Sequence, residues 1–204
     1  MPHRITGYHF TGDTLRDGRP IPEVGEWLIH EGEVAPCEVG LHASPHPFDA
    51  LLYAPGNRLH KVVLRKGLKS HGDPIDKYVG KERKIIASID AEKLLRDFAR
   101  WSALKVIHLW DAPDVVKQFL ETGDENLRAA ARDAAWAAAR DALAADAARV
   151  AAWAAAWAAG RDAARDAAWA AARAAARDAE WNAAFKKFTN KARKEFKKRV
   201  EVAF

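Results

Sequence analysis

One cysteine, Cys37, is all the chain has, which excludes an internal disulfide and fits a reducing compartment, where no disulfide partner is expected. No apolar run reaches 18 residues and no apolar leader opens the sequence, so neither secretion nor a membrane span is expected and a cytoplasmic protein is. Gln and Met occur once each and Asn four times, a depletion that suits a GC-rich or thermophilic source. No Gly-rich phosphate loop, Gly-x-Ser-x-Gly elbow or His-Glu-x-x-His occurs, which removes the commonest signatures of nucleotide, hydrolase and zinc-protease chemistry. The most telling absence is local: from Leu127 to Trp181 there is no Pro, His or Cys, and 31 of the 55 residues are Ala.

What fills that stretch is a step of four. Arg149, Trp153, Trp157, Arg161, Arg165, Trp169, Arg173, Arg177, Trp181 and Phe185 follow one another at that spacing, and Arg128, Arg132, Trp136 and Arg140 form an earlier run one residue out of phase. Ala is the strongest helix former, so the segment is expected to be helical. Each residue turns a helix by about 100°, so a step of four advances the Arg/Trp stripe by about 40° and winds it around the helix. Four is too far from 3.6 for a simple two-stranded coiled coil to follow, and the Ala sectors offer close neighbours on several sides. The nine-residue step from Arg140 to Arg149 and the lone Gly160 mark two places where the helix changes partner or bends; unbent, the rod would run roughly 80 Å. A slipped 12-nucleotide coding repeat would also generate such a tetrad, yet its Trp side chains still need burial. Trp136, Trp153, Trp157, Trp169 and Trp181 are therefore the candidate assembly anchors.

Charge is just as unevenly placed. Between Asn182 and Phe204 eight Lys or Arg face two Glu, a balance of +6 against +5 for the whole chain, so everything upstream sums to −1. Phe185, Phe188, Ala192, Phe196 and Val200 recur at three and four, the pattern of a basic amphipathic helix. Three readings stay open: an apolar face docked on the rest of the protein with a solvated basic back, nucleic-acid binding, or binding to an anionic membrane surface. The cations concerned are Lys186, Lys187, Lys191, Arg193, Lys194, Lys197, Lys198 and Arg199.

Upstream, short alternating segments predict strands over Arg4 to Phe10, Glu26 to His30, Gly40 to Ala43, His60 to Arg65 and Lys84 to Ile89. Ser44-Pro45 is expected to cap a short helix to Leu52, Asp90 a longer one to about His108, and Asp111-Ala112-Pro113 a third that Gly123 ends. The expected architecture is an α+β N-terminal domain, a small mostly antiparallel sheet with helices, followed by a long Ala-rich all-α extension. Its divisions fall at residues 1–123, 124–181 and 182–204.

The stretch Cys37-Glu38-Val39-Gly40-Leu41-His42-Ala43-Ser44, followed by Pro47-Phe48-Asp49-Ala50-Leu51 and by His60-Lys61-Val62-Val63-Leu64, resembles an uncharacterised domain family of phage and prophage proteins. That family carries Cys-x-x-Gly-[Leu/Phe]-His-Ala ahead of a Pro-[Phe/Leu]-Asp helix, often with a short-period repeat afterwards. The resemblance implies a phage context, in a host cell or on a virion, and no residue roles.

Two constellations could carry chemistry. Cys37, His42, His46 and Asp49 supply the donor types of zinc, but His42 falls on a strand, His46 opens a helix and no Cys-x-x-Cys frames them; partly buried polar residues are the plainer reading, and no metal or cofactor is expected. The chain also faintly resembles ADP-ribosyltransferases, through Tyr8-His9-Phe10-Thr11, Gly40-Leu41-His42-Ala43-Ser44 and Tyr53. That resemblance implies a dinucleotide held by His9, His42 and Tyr53, with Glu82 the nearest candidate for a catalytic carboxylate. The preferred expectation is a non-enzymatic, phage-associated assembly protein that self-associates as a homo-oligomer through its Ala/Trp helices.

Overall fold

Alternating side chains build the first half of the molecule into strands, as the computed structural model shows; it describes residues 3–141, 150–152, 154, 155, 158, 164–175 and 181–204. Four strands form an antiparallel sheet in the order β1 (Arg4–Thr11), β4 (Arg58–Arg65), β7 (Glu82–Asp90) and β2 (Trp27–Ile29). Three more form a second sheet in the order β3 (Leu41–Ala43), β6 (Lys77–Gly80) and β5 (Lys69–His71). Apolar inward faces drive the packing: Leu41, Ala43, Val62, Leu64 and Ile85 form a buried cluster with Ile5, Leu28, Leu68 and Tyr78 against it. Each large aliphatic side chain fully withdrawn from water contributes about 1.5–3 kcal/mol. Register slips by one residue between Lys61 and Val62 of β4, so Ile86 of β7 is the unpaired residue of a bulge. The slip keeps Ile85 buried and leaves Ile86 exposed.

The helix α1 (Pro47–Leu51) begins later than its sequence suggests. Its N-cap is His46, whose Nδ1 accepts from the Phe48 amide at 3.1 Å, with Pro47 opening the first turn. Ser44 is unavailable for capping, because its backbone bridges to Tyr8 of β1. The strands β5 and β6 were not expected from the sequence; both are short, and Gly72 and Asp73-Pro74 between them read as loop.

Contacts divide the chain into two compact units, Met1–Glu92 with Phe196–Phe204, and Lys93–Glu195. The first is α+β. Its C-terminal residues join it through Phe196, edge-on to Phe48 at 6.2 Å, and Phe204, whose ring centroid lies 6.5 Å from that of Tyr8.

The second unit is helical among the described residues: α2 (Glu92–Leu104), α3 (Asp114–Thr122), α4 (Arg128–Asp141), α5 (Ala164–Ala175) and the larger part of α6 (Trp181–Ala203). Asp90 accepts from the Glu92 amide at 2.9 Å and starts α2. The helix stops at Leu104, short of His108, and Ile107–Leu109 forms a separate 3-10 turn. In α5, Ala167, Ala168, Ala170, Ala171, Ala172 and Ala174 are all buried while Trp169 and Arg173 are exposed. The buried positions cover about 200° of that helix and the two exposed ones sit about 40° apart. In α4 the pattern repeats more narrowly, with Ala131, Ala135 and Ala139 buried and Arg132, Trp136 and Arg140 exposed. The small side chains thus face inward and the stripe faces out.

Trp153, Trp157, the side chain of Trp181, the step from Arg140 to Arg149 and Gly160 lie outside the described residues. In α6, Phe188, Ala192, Phe196 and Val200 are buried, whereas Lys186, Lys187, Lys191, Lys194, Lys197 and Lys198 are exposed and Arg193 and Arg199 half-buried. These four apolar residues are therefore covered within the chain. No helix among the described residues is long and apolar enough to cross a membrane.

Candidate functional site

The two sheets of the first unit pack face to face over the shared core, and β1 is joined to the end of β3 at a single bridge. Tyr8 of β1 and Ser44, just past β3, exchange backbone hydrogen bonds of 2.8 and 2.9 Å. Gly7 permits the approach: a Cβ there would lie 2.6 Å from the Ser44 carbonyl oxygen. Past this bridge the strands splay, and a cleft of about 1060 Å³ opens between them. Antiparallel pairing alternates the direction of successive peptide groups, so those of Phe10 and His42, two residues from the bridged pair, point toward the same gap.

A tight turn sets the cleft's far wall. Ala35 and Val39 bridge to each other, Cys37 sits at φ +68°, and Gly40 at φ +113°. A Cβ on Gly40 would come within 2.6 Å of Val79 Cγ2 and 2.8 Å of Val34 Cγ1, so only glycine fits. The Cys-x-x-Gly spacing of the sequence is thereby explained as turn geometry that delivers His42 to the cleft.

Arg83 is the site's dominant charge. It lies on β7 in phase with the core residue Ile85, so the strand aims it inward, and it is 6% exposed. Its Nη1 donates to the His42 backbone oxygen at 2.8 Å. Among the described residues no carboxylate forms an ion pair with it. Burial pushes its pKa down to about 10, partly offset by Asp17, whose own carboxylate is engaged by Arg19 at 2.7 Å. The acidic residues on the cleft, Asp13, Asp17 and Glu38, are all exposed, in contrast to the buried cation.

Two imidazoles stand with it. Burial, then Lys77 and Arg83, brings the His42 pKa down to about 4, and its Nε2 is buried with no hydrogen-bond partner among the described residues. His9 is held well below the ordinary histidine value by burial first, then by Arg83, His60 and His42. His60, the cross-strand partner of His9, is 1% exposed and fully engaged, with Thr11 Oγ1 at 2.9 Å and Ser88 Oγ at 2.8 Å. It belongs to the core.

Elsewhere on the cleft Tyr53 donates to Asp76 Oδ2 at 2.7 Å, and the Lys77 ammonium lies 3.9 Å from its ring centroid. Burial first, then the Asp76 bond, pushes the Tyr53 phenol up to about 12. Lys77 Nζ also donates to Cys37 Sγ at 3.1 Å.

Of the residues singled out from sequence, the cleft brings together His9, His42, Tyr53 and Cys37. Glu82 does not line it: its carboxylate is held by Lys66 Nζ at 2.6 Å and Arg65 Nε at 2.5 Å, and Lys66 first, then Arg65, keeps its pKa below the usual range. His46 caps α1 and Asp49 lies in its first turn, and neither lines the cleft; no three His, Cys, Asp or Glu side chains gather as a metal-holding group among the described residues. Arg83 was missed. Its signal was present, since an Arg two residues before Ile85 breaks the inward apolar phase of β7.

No curated protein and no solved structure matches the chain. Every cleft-lining residue falls within residues 5–97, and that stretch matches a family model described as a domain of unknown function (DUF7666).

Proposed function

We propose that the first compact unit binds a small organic anion in the cleft between its sheets. One observation carries this reading: Arg83 is buried on the cleft wall, hydrogen-bonded to a backbone oxygen and unpaired with any carboxylate among the described residues. An uncompensated buried cation costs several kcal/mol, and a protein tolerates it where a ligand supplies the missing charge. The cleft's size supports an organic ligand, since small-molecule sites run to about 300–1,000 Å³.

The test is thermal unfolding of the full chain against inorganic phosphate, citrate and nucleotides. A ligand at 100 times its Kd adds about 2.7 kcal/mol of stability, which for a chain of this size raises Tm by roughly 5–11 °C. Arg83→Met should abolish the response. The same variant should be more stable than the parent without ligand, by about 1–3 kcal/mol, because an apolar group replaces a buried charge. Failure of every anion to raise Tm would refute the reading.

A second reading is favoured by a separate observation: the chain is a phage-associated assembly protein that self-associates through its Ala/Trp helices. It is supported by Trp136 at 36% and Trp169 at 43% exposure, outward on helices whose Ala faces are buried. The two readings concern different units and are compatible.

A further inference from the structure

Resting on the anion-binding reading above, we infer that the ligand is a nucleotide, with its phosphate at Arg83 and its base on Tyr53. The phosphate end is set by Arg83, which lines the cleft and is bonded to the β3 backbone. The Arg83 guanidinium has five N–H donors in a planar fork, and among the described residues it makes one side-chain hydrogen bond, to the His42 carbonyl at 2.8 Å. The remaining fork suits two oxygens of one anionic group. His42 lines the same cleft, and its Nε2 is buried without a partner among the described residues; with the ring neutral and its other nitrogen bonded to the Gly40 backbone, that atom accepts from a ligand hydroxyl. A buried guanidinium fork with donors to spare matches the oxygens of a phosphate.

The cleft, at about 1060 Å³, is far larger than a bare oxyanion needs. Its other feature is a fixed aromatic ring. Tyr53 is tethered at its hydroxyl by Asp76 at 2.7 Å and carries the Lys77 ammonium 3.9 Å from its centroid, while Lys77 is itself held by Cys37 at 3.1 Å. A ring locked at both its edge and one face is a preorganised stacking platform, and 47% of Tyr53 remains exposed. Stacking a nucleobase on an aromatic ring strengthens binding about tenfold and tolerates any base. A flat heterocycle joined to a phosphate engages both the ring and the guanidinium that line the cleft, whereas a polycarboxylate uses only the guanidinium.

The experiment is isothermal titration of the full chain with the four nucleoside monophosphates, adenosine, inorganic phosphate and citrate. The expected result is that at least one monophosphate binds tenfold or more tightly than phosphate, citrate or adenosine. Tyr53→Ala should cost that nucleotide about tenfold and change phosphate affinity less than twofold, while Tyr53→Phe, which keeps the ring, retains most of the affinity. Circular dichroism of each variant checks that the fold is kept. If citrate binds as tightly as every nucleotide, or Tyr53→Ala leaves nucleotide affinity unchanged, the nucleotide inference is overturned and the anion reading stands. If neither nucleotide, phosphate nor citrate binds, both fall.

Discussion

His60 and Arg83 show two ways a titratable side chain can be buried. His60 is enclosed by hydroxyls on both ring nitrogens and stays neutral, which burial, then Arg83 and Arg58, enforces by lowering its pKa from 6.5 to about 4. Arg83 stays charged, so its desolvation is not relieved at any physiological pH. For His60 the consequence has a definite sign. Its folded pKa lies below the unfolded one, so between 6.5 and about 4 the unfolded chain holds more protons and stability falls as pH drops. A shift of that size corresponds to about 3 kcal/mol, all of it present above the unfolded pKa and gone below the folded one. Urea unfolding measured from about pH 7 to about pH 4.5 should show this decline. His60→Asn should be less stable at neutral pH, because Thr11 and Ser88 lose a shared partner, yet flatter across the window. An unchanged slope would mean that the decline comes from His9 and His42 instead.

At the scale of elements, the cleft exists because β1 and β3 are pinned at a single bridge. Gly7→Ala would put a methyl 2.6 Å from the Ser44 oxygen, a backbone atom that moves only if the strand does. The variant should lose about 1–3 kcal/mol and, more specifically, lose anion binding along with it. Retained binding at reduced stability would show that the bridge does not set the cleft. Much of this architecture was legible beforehand: β1, β2, β3, β4 and β7 coincide with alternating runs to within a few residues, and Gly123 ends α3 in the left-handed conformation. The short strands β5 and β6 were not, since three or four residues carry too little alternation to separate them from the turns between. The cap of α1 was misplaced from Ser44 to His46 for a tertiary reason, because only the folded sheet shows that Ser44 is already bonded to Tyr8. His9, His42 and Tyr53 are singled out by a family resemblance, and Glu82 with them, which could not be discounted without seeing that β7 turns it toward Arg65 and Lys66.

For the molecule as a whole, the four-residue step divides labour between two kinds of side chain. An Ala helix buries little area per residue, and a methyl contributes only about 0.8 kcal/mol, so the second unit gains its packing from close approach over a wide arc of α5. A stripe that advances about 40° per step stays on the uncovered side for only a few turns, and Arg132, Trp136 and Arg140 on α4, like Trp169 and Arg173 on α5, occupy that side. Charge there needs no explanation, because Arg in water is soluble and cheap to keep. Exposed indoles do, because each large ring left in contact with water forgoes burial that a second copy of the chain could provide, and Trp is among the residues that dominate protein interfaces. Light scattering at tens of micromolar should therefore report a mass above that of a 22.5 kDa monomer. Replacing Trp136 and Trp169 together by Ala should weaken association at least tenfold while leaving helix content unchanged, since both positions point away from the buried Ala face. A parent chain that stays monomeric at hundreds of micromolar would remove self-association as the stripe's purpose.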